Sequence, residues 1–307
     1  MTKGMHLVRP LITIVTFTEV FPLIEQEEIQ KGETLLETKG VSKRFGAVQA
    51  LRQVDFDVKA GEVIALVGDN GAGKSTLVKG IAGIYAFDGG QVFYRGKPVS
   101  IHTPRDASRL GIEVVYQDLA LADNLDVVAN MFLGREWNAL DAPTTEDEED
   151  VEPTLSDRVR RFFRNLLPLS EVRMEKQAVR TLDELSVMTL QSVRLPVASL
   201  SGGQRQSVAI AKAVLWNSQV VILDEPTAAL GVAQTKQVLE LVRRLADKNL
   251  GVVLISHNLH DIFQVADRIM VLRLGQKITT YTSSETTQQE VVHAITAGQL
   301  DTVPGMA

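Results

Sequence analysis

The residues with the clearest chemical pattern lie in one glycine-rich segment, Gly68–Thr76. They match G-x-x-x-x-G-K-[ST], the pattern of a loop that holds nucleotide phosphates. Glycines let backbone N–H groups turn toward phosphate oxygens, and a helix beginning near Lys74 adds the positive end of its dipole. Lys74 can reach the β- and γ-phosphates, and the Ser75 hydroxyl can bind Mg²⁺. The predicted phosphate-binding residues are Gly68, Asp69, Asn70, Gly71, Ala72, Gly73, Lys74, Ser75 and Thr76.

Two adjacent carboxylates, Asp224 and Glu225, follow the apolar run Val220–Leu223. Open α/β sheets bind ligands at the carboxyl ends of their strands. We therefore predict that Asp224 holds Mg²⁺, directly or through water, and that Glu225 is the general base that polarises an attacking water. Alone, such a pair is usually a strand that reaches solvent. The presence of the Gly68–Thr76 loop in the same chain favours the catalytic interpretation.

A second turn suited to anions lies at Ser201–Gln204, in the string Leu-Ser-Gly-Gly-Gln. Small residues lead there into a helical pattern from Gln204 onward, and a helix N-terminus attracts phosphate. This turn lacks the lysine of the first loop. An ordinary N-terminal cap is the alternative when the segment is considered alone.

The segments between these residues alternate short apolar runs with longer helical patterns. Parallel strands joined by crossover helices are the economical arrangement for this alternation, so we predict an α/β fold with a parallel sheet. A capped helix begins at Thr103-Pro104 and stops at Gly111, and an amphipathic helix covers about Ala233–Lys248. The predicted strands are Glu62–Val67, Ile112–Val115, Val220–Leu223 and Val252–Ile255, with a terminal hairpin of Ile269–Leu274 and Lys277–Thr280.

Composition excludes several classes of function. The 307 residues suffice for one large α/β domain or two small ones. Cysteine is absent, so thiol catalysis, zinc–thiolate sites and disulfides are excluded. The net charge of −6 is a poor match to a nucleic-acid partner. The longest apolar run, Leu11–Ile24, contains Glu19 and Pro22 and is shorter than the roughly 18 residues of a spanning helix. We predict an extra strand or ordered tail there and no signal peptide.

The middle of the chain differs from its flanks. From about Leu119 to Leu195 the strand patterns fade, and helical patterns dominate at Leu155–Leu167 and Val172–Leu190. Between them lies the acidic run Asp141–Glu152, which contains a proline. We predict a solvated loop there, because like charges repel and the run has little apolar surface to pack.

Together these strings resemble the ATPase subunits of ABC transporters, over about Leu35–Gly298. The resemblance implies a P-loop NTPase fold with a parallel core sheet, an N-terminal antiparallel β-subdomain and an inserted helical subdomain that docks onto permease helices. It implies ATP and Mg²⁺ as cofactors. It also implies that Ser201–Gln204 closes over the ATP of a second copy, so that two head-to-tail subunits sandwich two nucleotides.

Three further residues take their roles from this resemblance alone. Phe45 matches the family's aromatic residue that stacks on adenine. Gln117 matches a glutamine that contacts Mg²⁺ and the attacking water, and His257 matches a histidine that contacts the γ-phosphate. The implied sets are Lys74, Gln117, Glu225 and His257 for catalysis, Ser75, Gln117 and Asp224 for the metal, and Ser201, Gly202, Gly203 and Gln204 in trans.

A finer resemblance points to the monosaccharide importers of the ribose, fructose and xylose type. It rests on segments Tyr116–Leu121, Asn130–Glu136, Pro226–Val232 and His257–Leu274. It implies uptake of a sugar through transmembrane permease subunits, an extracytoplasmic sugar-binding protein as indirect partner, and a location on the cytoplasmic face of the membrane. Many members of this subgroup fuse two ATPase domains, whereas one set of motifs here implies a homodimer. Gly231 stands where the wider family has Asp.

The predicted organisation is an N-terminal extension at 1–33, an ATPase domain at 34–298 and a tail at 299–307. The helical subdomain covers about 119–200 and contains an acidic insertion at about 141–153. Transport of another solute is the first alternative. A soluble ABC ATPase of translation or DNA repair is disfavoured by the acidic charge and the lack of a second ATPase domain, basic linker, coiled coil or zinc motif. A non-hydrolysing ATP-binding module is disfavoured by Lys74, Asp224 and Glu225.

Overall fold

The computed structural model describes residues 29–138, 168–187 and 190–298. Its central strands are β3 (Val63–Val67), β6 (Ile112–Val115), β7 (Val220–Asp224), β8 (Gly251–Ile255), β9 (Arg268–Arg273) and β10 (Gln276–Thr282). They form one six-stranded sheet in the order β10-β9-β3-β8-β7-β6. Only β10 runs antiparallel to its neighbour within this sheet. Each strand predicted from the sequence is confirmed to within one or two residues.

The aliphatic runs of the central strands are explained by burial on both faces of the sheet. All five residues of β3 and of β8 are buried. Successive side chains point to opposite faces, so Ala65 and Val67 join one apolar layer while Ile64 and Leu66 join the other. A parallel sheet covered on both faces needs apolar residues at every position rather than at alternate ones.

The described ranges contain eight helices: α1 (Lys74–Ile81), α2 (Pro104–Arg109), α3 (Val127–Phe132), α4 (Glu171–Glu184), α5 (Gly202–Val214), α6 (Val232–Asp247), α7 (Leu259–Val265) and α8 (Gln288–Ala297). Capping explains several boundaries. Thr103 caps α2 in the predicted way, with Asp106 closing a capping box. Helix α8, which Thr287 caps, was not predicted from the sequence. None of these helices is long and apolar enough to cross a membrane.

Two predicted helix boundaries were wrong. The helix after Leu200 begins at Gly202, earlier than Gln204, because Ser201 accepts a hydrogen bond from the Gln204 N–H and so acts as the N-cap. The helical pattern predicted to run to Leu190 ends at Glu184. Ser186 there adopts a positive φ of 53°, and a left-handed residue terminates a helix.

An antiparallel sheet lies beside the central one, as predicted. It consists of β1 (Thr34–Phe45), β2 (Val48–Lys59), β4 (Gly89–Tyr94) and β5 (Lys97–Val99), in the order β2-β1-β4-β5. Its apolar face shares a buried layer with Leu77 and Ile81 of α1. The Arg268 guanidinium donates to Asp57 Oδ2 at 2.8 Å and joins β9 to β2. The β-subdomain is thereby joined to the central sheet at β9.

The helical region between β6 and β7 contains α3, α4 and a short 3-10 turn at Val197–Ser199. Arg194 joins its parts, because its guanidinium donates to Glu175 at 2.7 Å and to Asp126 at 3.3 Å. The parallel sheet, the antiparallel subdomain and this helical insertion confirm the predicted fold class. The predictions for Leu11–Ile24, Asp141–Glu152 and Leu155–Leu167, and for the tail 299–307, fall outside the described residues.

Candidate active site

The parallel register brings the predicted site residues to one edge of the central sheet. Leu66 of β3 lies opposite Ile255 of β8, and Asp224 of β7 lies opposite the same Ile255. On the other side of β7, Val115 of β6 pairs with Leu223. The predicted site residues just after these strands therefore lie at the same carboxyl edge, where open α/β sheets bind ligands. They are Gly68, Gln117, Glu225 and His257.

The glycine-rich loop has a shape that only glycine allows at its first position. Gly68 has φ +149°, and a Cβ there would lie 2.1 Å from the carbonyl oxygen of Leu272 in β9. Gly73, with φ +106°, precedes α1, and a Cβ there would lie 2.9 Å from the Ala50 carbonyl oxygen. The loop is thus packed tightly on β2 and β9. Its conformation is set by the neighbouring strands as well as by its own residues.

The first turn of α1 points backbone donors toward the loop. The first helical hydrogen bond runs from the Leu77 N–H to the Gly73 carbonyl at 2.9 Å. The N–H groups of residues 74–76 precede that bond, so the helix offers them no carbonyl. The Lys74 ammonium folds back over the loop and donates to the Gly68 carbonyl at 2.6 Å and the Asp69 carbonyl at 3.1 Å. Donors and a cation converge where an anion would lie.

Three carboxylates act electrostatically on Lys74. Partial burial lowers the pKa of the Lys74 ammonium, while the charges of Glu225, Asp69 and Asp224 raise it. In turn, burial raises the pKa of Asp224, the charge of Glu225 raises it further, and Lys74 lowers it. Lys74, Asp224 and Glu225 therefore form one electrostatic cluster, although they are far apart in the sequence.

Glu225 is held in an unusual backbone conformation. Its φ is +51°, a left-handed value uncommon for residues other than glycine, and its N–H donates to the Ile255 carbonyl at 2.9 Å. This turn directs the chain away from the sheet directly after Asp224. Left-handed backbone at non-glycine residues is often found at functional sites.

His257 contacts Glu225 directly. Its Nδ1 lies 2.8 Å from Glu225 Oε2, within ion-pair distance. The His257 side chain is 80% exposed, whereas that of Glu225 is 18% exposed. Both residues were predicted from the sequence as site residues, but their contact was not. The two side chains are in direct contact at the carboxyl edge of the sheet.

The predicted metal ligands are all hard oxygen donors. The Ser75 hydroxyl follows Lys74, the Asp224 carboxylate ends β7, and the Gln117 amide is exposed beyond β6. Mg²⁺ suits such a set, because it binds through one or two carboxylates together with substrate phosphates and water. No cluster of three acidic or histidine ligands occurs in the described ranges. The donor set therefore fits a metal that arrives with phosphates rather than one caged by protein alone.

Phe45 lies at the end of β1 and is 47% exposed. Its ring centroid is 5.2 Å from that of Tyr85, with the ring planes at 82°. The Tyr85 hydroxyl donates to the Thr76 carbonyl in α1 at 2.9 Å. Sequence reasoning missed Tyr85 because a single aromatic after a helix belongs to no recognisable pattern. The two contacts connect the predicted adenine-stacking ring to α1.

The Ser201–Gln204 turn forms a complete capping box. The Gln204 N–H donates to Ser201 Oγ at 3.3 Å, and the Ser201 N–H donates to Gln204 Oε1 at 2.8 Å. A Cβ on Gly203 would lie 3.0 Å from Gln234 in α6, so the turn packs closely on that helix. Ser201 and Gly202 are exposed. No hydrogen bond of the described ranges joins Ser201, Gly202 or Gly203 to the Gly68–Thr76 loop.

A cleft of about 230 Å³ lies between β6 and α5. Its walls include Tyr116, Leu133 and Trp216, together with the cations Arg135 and Lys212. Arg135 stacks over the Trp216 ring at 5.1 Å. Burial lowers the pKa of Lys212, and the charge of Arg135 lowers it further. The carboxylates Glu113 and Asp118 also line the cleft, so acidic and basic groups are balanced there. The cleft adjoins the segment that carries Gln117.

Comparison with known proteins places this site in a family. The family described as ABC transporter matches residues 51–228. Fructose import ATP-binding protein FrcA of Rhizobium meliloti is 42% identical over 87% of this chain and 95% of its own length. Xylose/arabinose import ATP-binding protein XylG of Sulfolobus acidocaldarius is 40% identical over 88% and 96%. The ribose import ATP-binding protein RbsA of Caldanaerobacter subterraneus is 37% identical, and this chain spans 49% of it.

Solved structures agree with the sequence relatives. A nucleotide-free ATP-binding cassette from an ABC transporter superposes with a TM-score of 0.68 at 25% identity, over 84% of this chain and 97% of that chain. The ADP conformation of another such cassette gives a TM-score of 0.66 at 25% identity, over 85% and 94%. With the family match spanning more than half of the residues and the fold shared with its cassettes, the chain belongs to the ABC transporter family.

Proposed function

We propose that this protein is the ATP-hydrolysing subunit of an ABC importer and powers uptake of a monosaccharide through a partner permease. The observation that carries the proposal is the cluster at the carboxyl edge of the sheet. There Lys74 lies in the field of Asp224 and Glu225, and His257 contacts Glu225 at 2.8 Å. Loop, cation, metal ligand and base are the parts that phosphoryl transfer to water requires.

Each part of the cluster has a distinct role toward ATP. The N–H groups of α1 and the Lys74 ammonium bind the phosphates and neutralise the charge that develops on the transferred phosphoryl. Ser75, Gln117 and Asp224 would hold Mg²⁺, which would neutralise phosphate charge. Glu225 accepts a proton from the attacking water, and His257 orients the Glu225 carboxylate and contacts the γ-phosphate. Phe45 stacks on the adenine.

The catalytic unit that we propose is a head-to-tail dimer. The Ser201–Gln204 turn is a preformed helix N-terminus with Ser201 and Gly202 exposed, so it can bind the phosphates of a nucleotide held by another copy. ATP binding draws the two copies together, and hydrolysis releases them. The pair lies on the cytoplasmic face of the membrane. Residues 34–298 form its ATPase domain, with the helical subdomain at about 119–200.

The cleft between β6 and α5 is the proposed docking site for the permease. It adjoins Gln117, so a permease helix seated there would sense closure at the nucleotide. The solute reaches the permease from an extracytoplasmic sugar-binding protein and never contacts this subunit. A monosaccharide is favoured because the relatives at 37–42% identity are import ATP-binding proteins for fructose, xylose/arabinose and ribose.

Purified protein tests the enzymatic part of the proposal. We expect Mg²⁺-dependent ATP hydrolysis, near-complete loss of turnover with retained ATP binding in Glu225→Gln, and weakened nucleotide binding in Lys74→Ala. Sedimentation of Glu225→Gln should show a dimer with ATP and a monomer without it. Normal hydrolysis by Glu225→Gln would refute the assignment of the base.

Uptake measurements test the transport part separately. Deletion of the gene should abolish uptake of labelled fructose, xylose or ribose, and the wild-type gene should restore it while the Glu225→Gln gene should not. Loss of uptake of a solute other than a sugar would support an importer but contradict the monosaccharide. Co-purification with ribosomes or DNA instead of a membrane protein would refute transport altogether.

A further inference from the structure

We propose that Tyr85 is a positioning residue for nucleotide binding, which holds the Phe45 ring in place for the base by tying it to the first turn of α1. The inference rests on the proposed role of Phe45 as the adenine-stacking residue. Tyr85 itself contacts neither phosphate nor metal in this proposal. It acts through Phe45, and its effect should therefore be confined to ligands that carry a base.

Two contacts of Tyr85 carry the inference. Its ring meets that of Phe45 at 5.2 Å between centroids with the planes at 82°, a favourable edge-to-face arrangement. Its hydroxyl donates to the Thr76 carbonyl at 2.9 Å. Phe45 remains 47% exposed beside this neighbour, so part of its ring stays available to a stacked base. The half-exposed Phe45 would otherwise be fixed mainly by the hairpin that joins β1 and β2.

Lys43 completes the support. Its ammonium lies 5.6 Å from the Phe45 ring and 5.2 Å from the Tyr85 ring, within reach of both π-systems. The same ammonium donates to the Ala86 carbonyl at 2.7 Å and to Asp88 at 2.8 Å. Both Lys43 and Tyr85 thus connect β1 to the segment that follows α1. A ring held before the ligand arrives loses less conformational freedom on binding, which increases affinity.

The decisive comparison uses two ligands that share their phosphates. ADP carries a base and inorganic pyrophosphate does not, and neither undergoes the ATPase reaction. Isothermal titration of the full chain gives the dissociation constant of each. A residue that acts through Phe45 changes only the constant for ADP, whereas damage to the Gly68–Thr76 loop changes both.

We expect Tyr85→Leu to weaken ADP binding about 3- to 10-fold, the range that corresponds to loss of one aromatic pair, and to leave pyrophosphate binding unchanged. Tyr281→Leu is the matched control, because Tyr281 is a partly buried tyrosine of β10 remote from both contacts, and it should change neither constant. Parallel weakening of ADP and pyrophosphate in Tyr85→Leu would overturn the proposal.

Tyr85→Phe provides a second test that keeps the ring and removes only the hydroxyl. It should weaken ADP binding about 2-fold in the wild-type background, and it should have no effect in a Phe45→Leu background. Equal effects in the two backgrounds would refute action through Phe45. If Phe45→Leu itself leaves ADP binding unchanged, the proposed role of Phe45 fails. If Phe45→Leu weakens ADP binding and both Tyr85 variants do not, only the role of Tyr85 fails.

Discussion

Gly68→Ala tests whether the neighbouring strand sets the shape of the phosphate loop. A Cβ at Gly68 would lie 2.1 Å from the Leu272 carbonyl oxygen, whereas real Cβ contacts essentially never fall below 3.0 Å. The loop must therefore move by roughly 1 Å, and a displacement of that size costs about 100-fold in rate at a catalytic site. The positive φ adds backbone strain of about 1–3 kcal/mol. We expect kcat/KM for ATP to fall by about 100-fold.

Gly71→Ala is the matched control for this substitution. Gly71 also has a positive φ, +81°, but a Cβ there would meet nothing within 4 Å. The variant therefore carries backbone strain without displacement of the loop, and its kcat/KM should fall by less than about 10-fold. Steady-state ATP hydrolysis, with thermal unfolding of each variant measured alongside, compares the two. Equal losses in Gly68→Ala and Gly71→Ala, or a Gly68→Ala enzyme within about 3-fold of wild type, would refute the steric argument.

Three further predictions follow from the geometry and charges of the site. Burial raises the folded-state pKa of Asp224 above 3.8, so the wild-type protein loses stability as pH rises from 3.8 through that raised pKa, whereas Asp224→Asn does not. The free energy of unfolding of Asp224→Asn should therefore increase relative to that of wild type over this pH range. A difference in urea unfolding that does not change with pH would contradict this. Lys212→Glu should abolish transport in vesicles reconstituted with the permease, while the isolated subunit still hydrolyses ATP. Lys277→Glu is the control and should transport normally. Normal transport by Lys212→Glu would argue against the docking cleft. Each of two variants, Lys74→Ala and Gly202→Arg, should be inactive alone. Their equal mixture should recover about a quarter of wild-type hydrolysis, because about half of the randomly formed pairs are mixed and each mixed pair has one intact site of two. An inactive mixture would contradict a site shared between copies.

The loop and its strand could be predicted from the sequence because they depend on local chemistry. A short apolar run, glycines at fixed spacing and a lysine at a helix start occur within consecutive residues, and the structure places them as β3, the loop and α1. The turn at Ser201 is likewise a local pattern, and only the first residue of the helix that follows it was predicted wrongly. In each case the elements were correct and the boundaries moved by a few residues.

Contacts between distant segments could not be predicted in this way. The contact between Glu225 and His257 depends on the register of β7 against β8. The hydrogen bond between Tyr85 and Thr76 depends on how the chain turns after α1. The close approach of Leu272 to Gly68 depends on the pairing of β3 with β9. A sequence motif can identify a residue of this kind, but the pairing of strands in the folded chain determines which atoms it contacts.

The exposure of the site argues that one copy is insufficient for efficient hydrolysis. The His257 side chain is 80% exposed, Gln117 is exposed, and Lys74 is occupied by the carbonyls of its own loop. Electrostatic stabilisation of a transferring phosphoryl is strongest where water is excluded, and nothing in the described part of this chain covers His257. A second copy that presents its Ser201–Gln204 turn would add donors and exclude water at the same step. Association of the two copies would then complete the site for ATP hydrolysis. Coupling of hydrolysis to a permease requires such a link between a conformational change and the reaction.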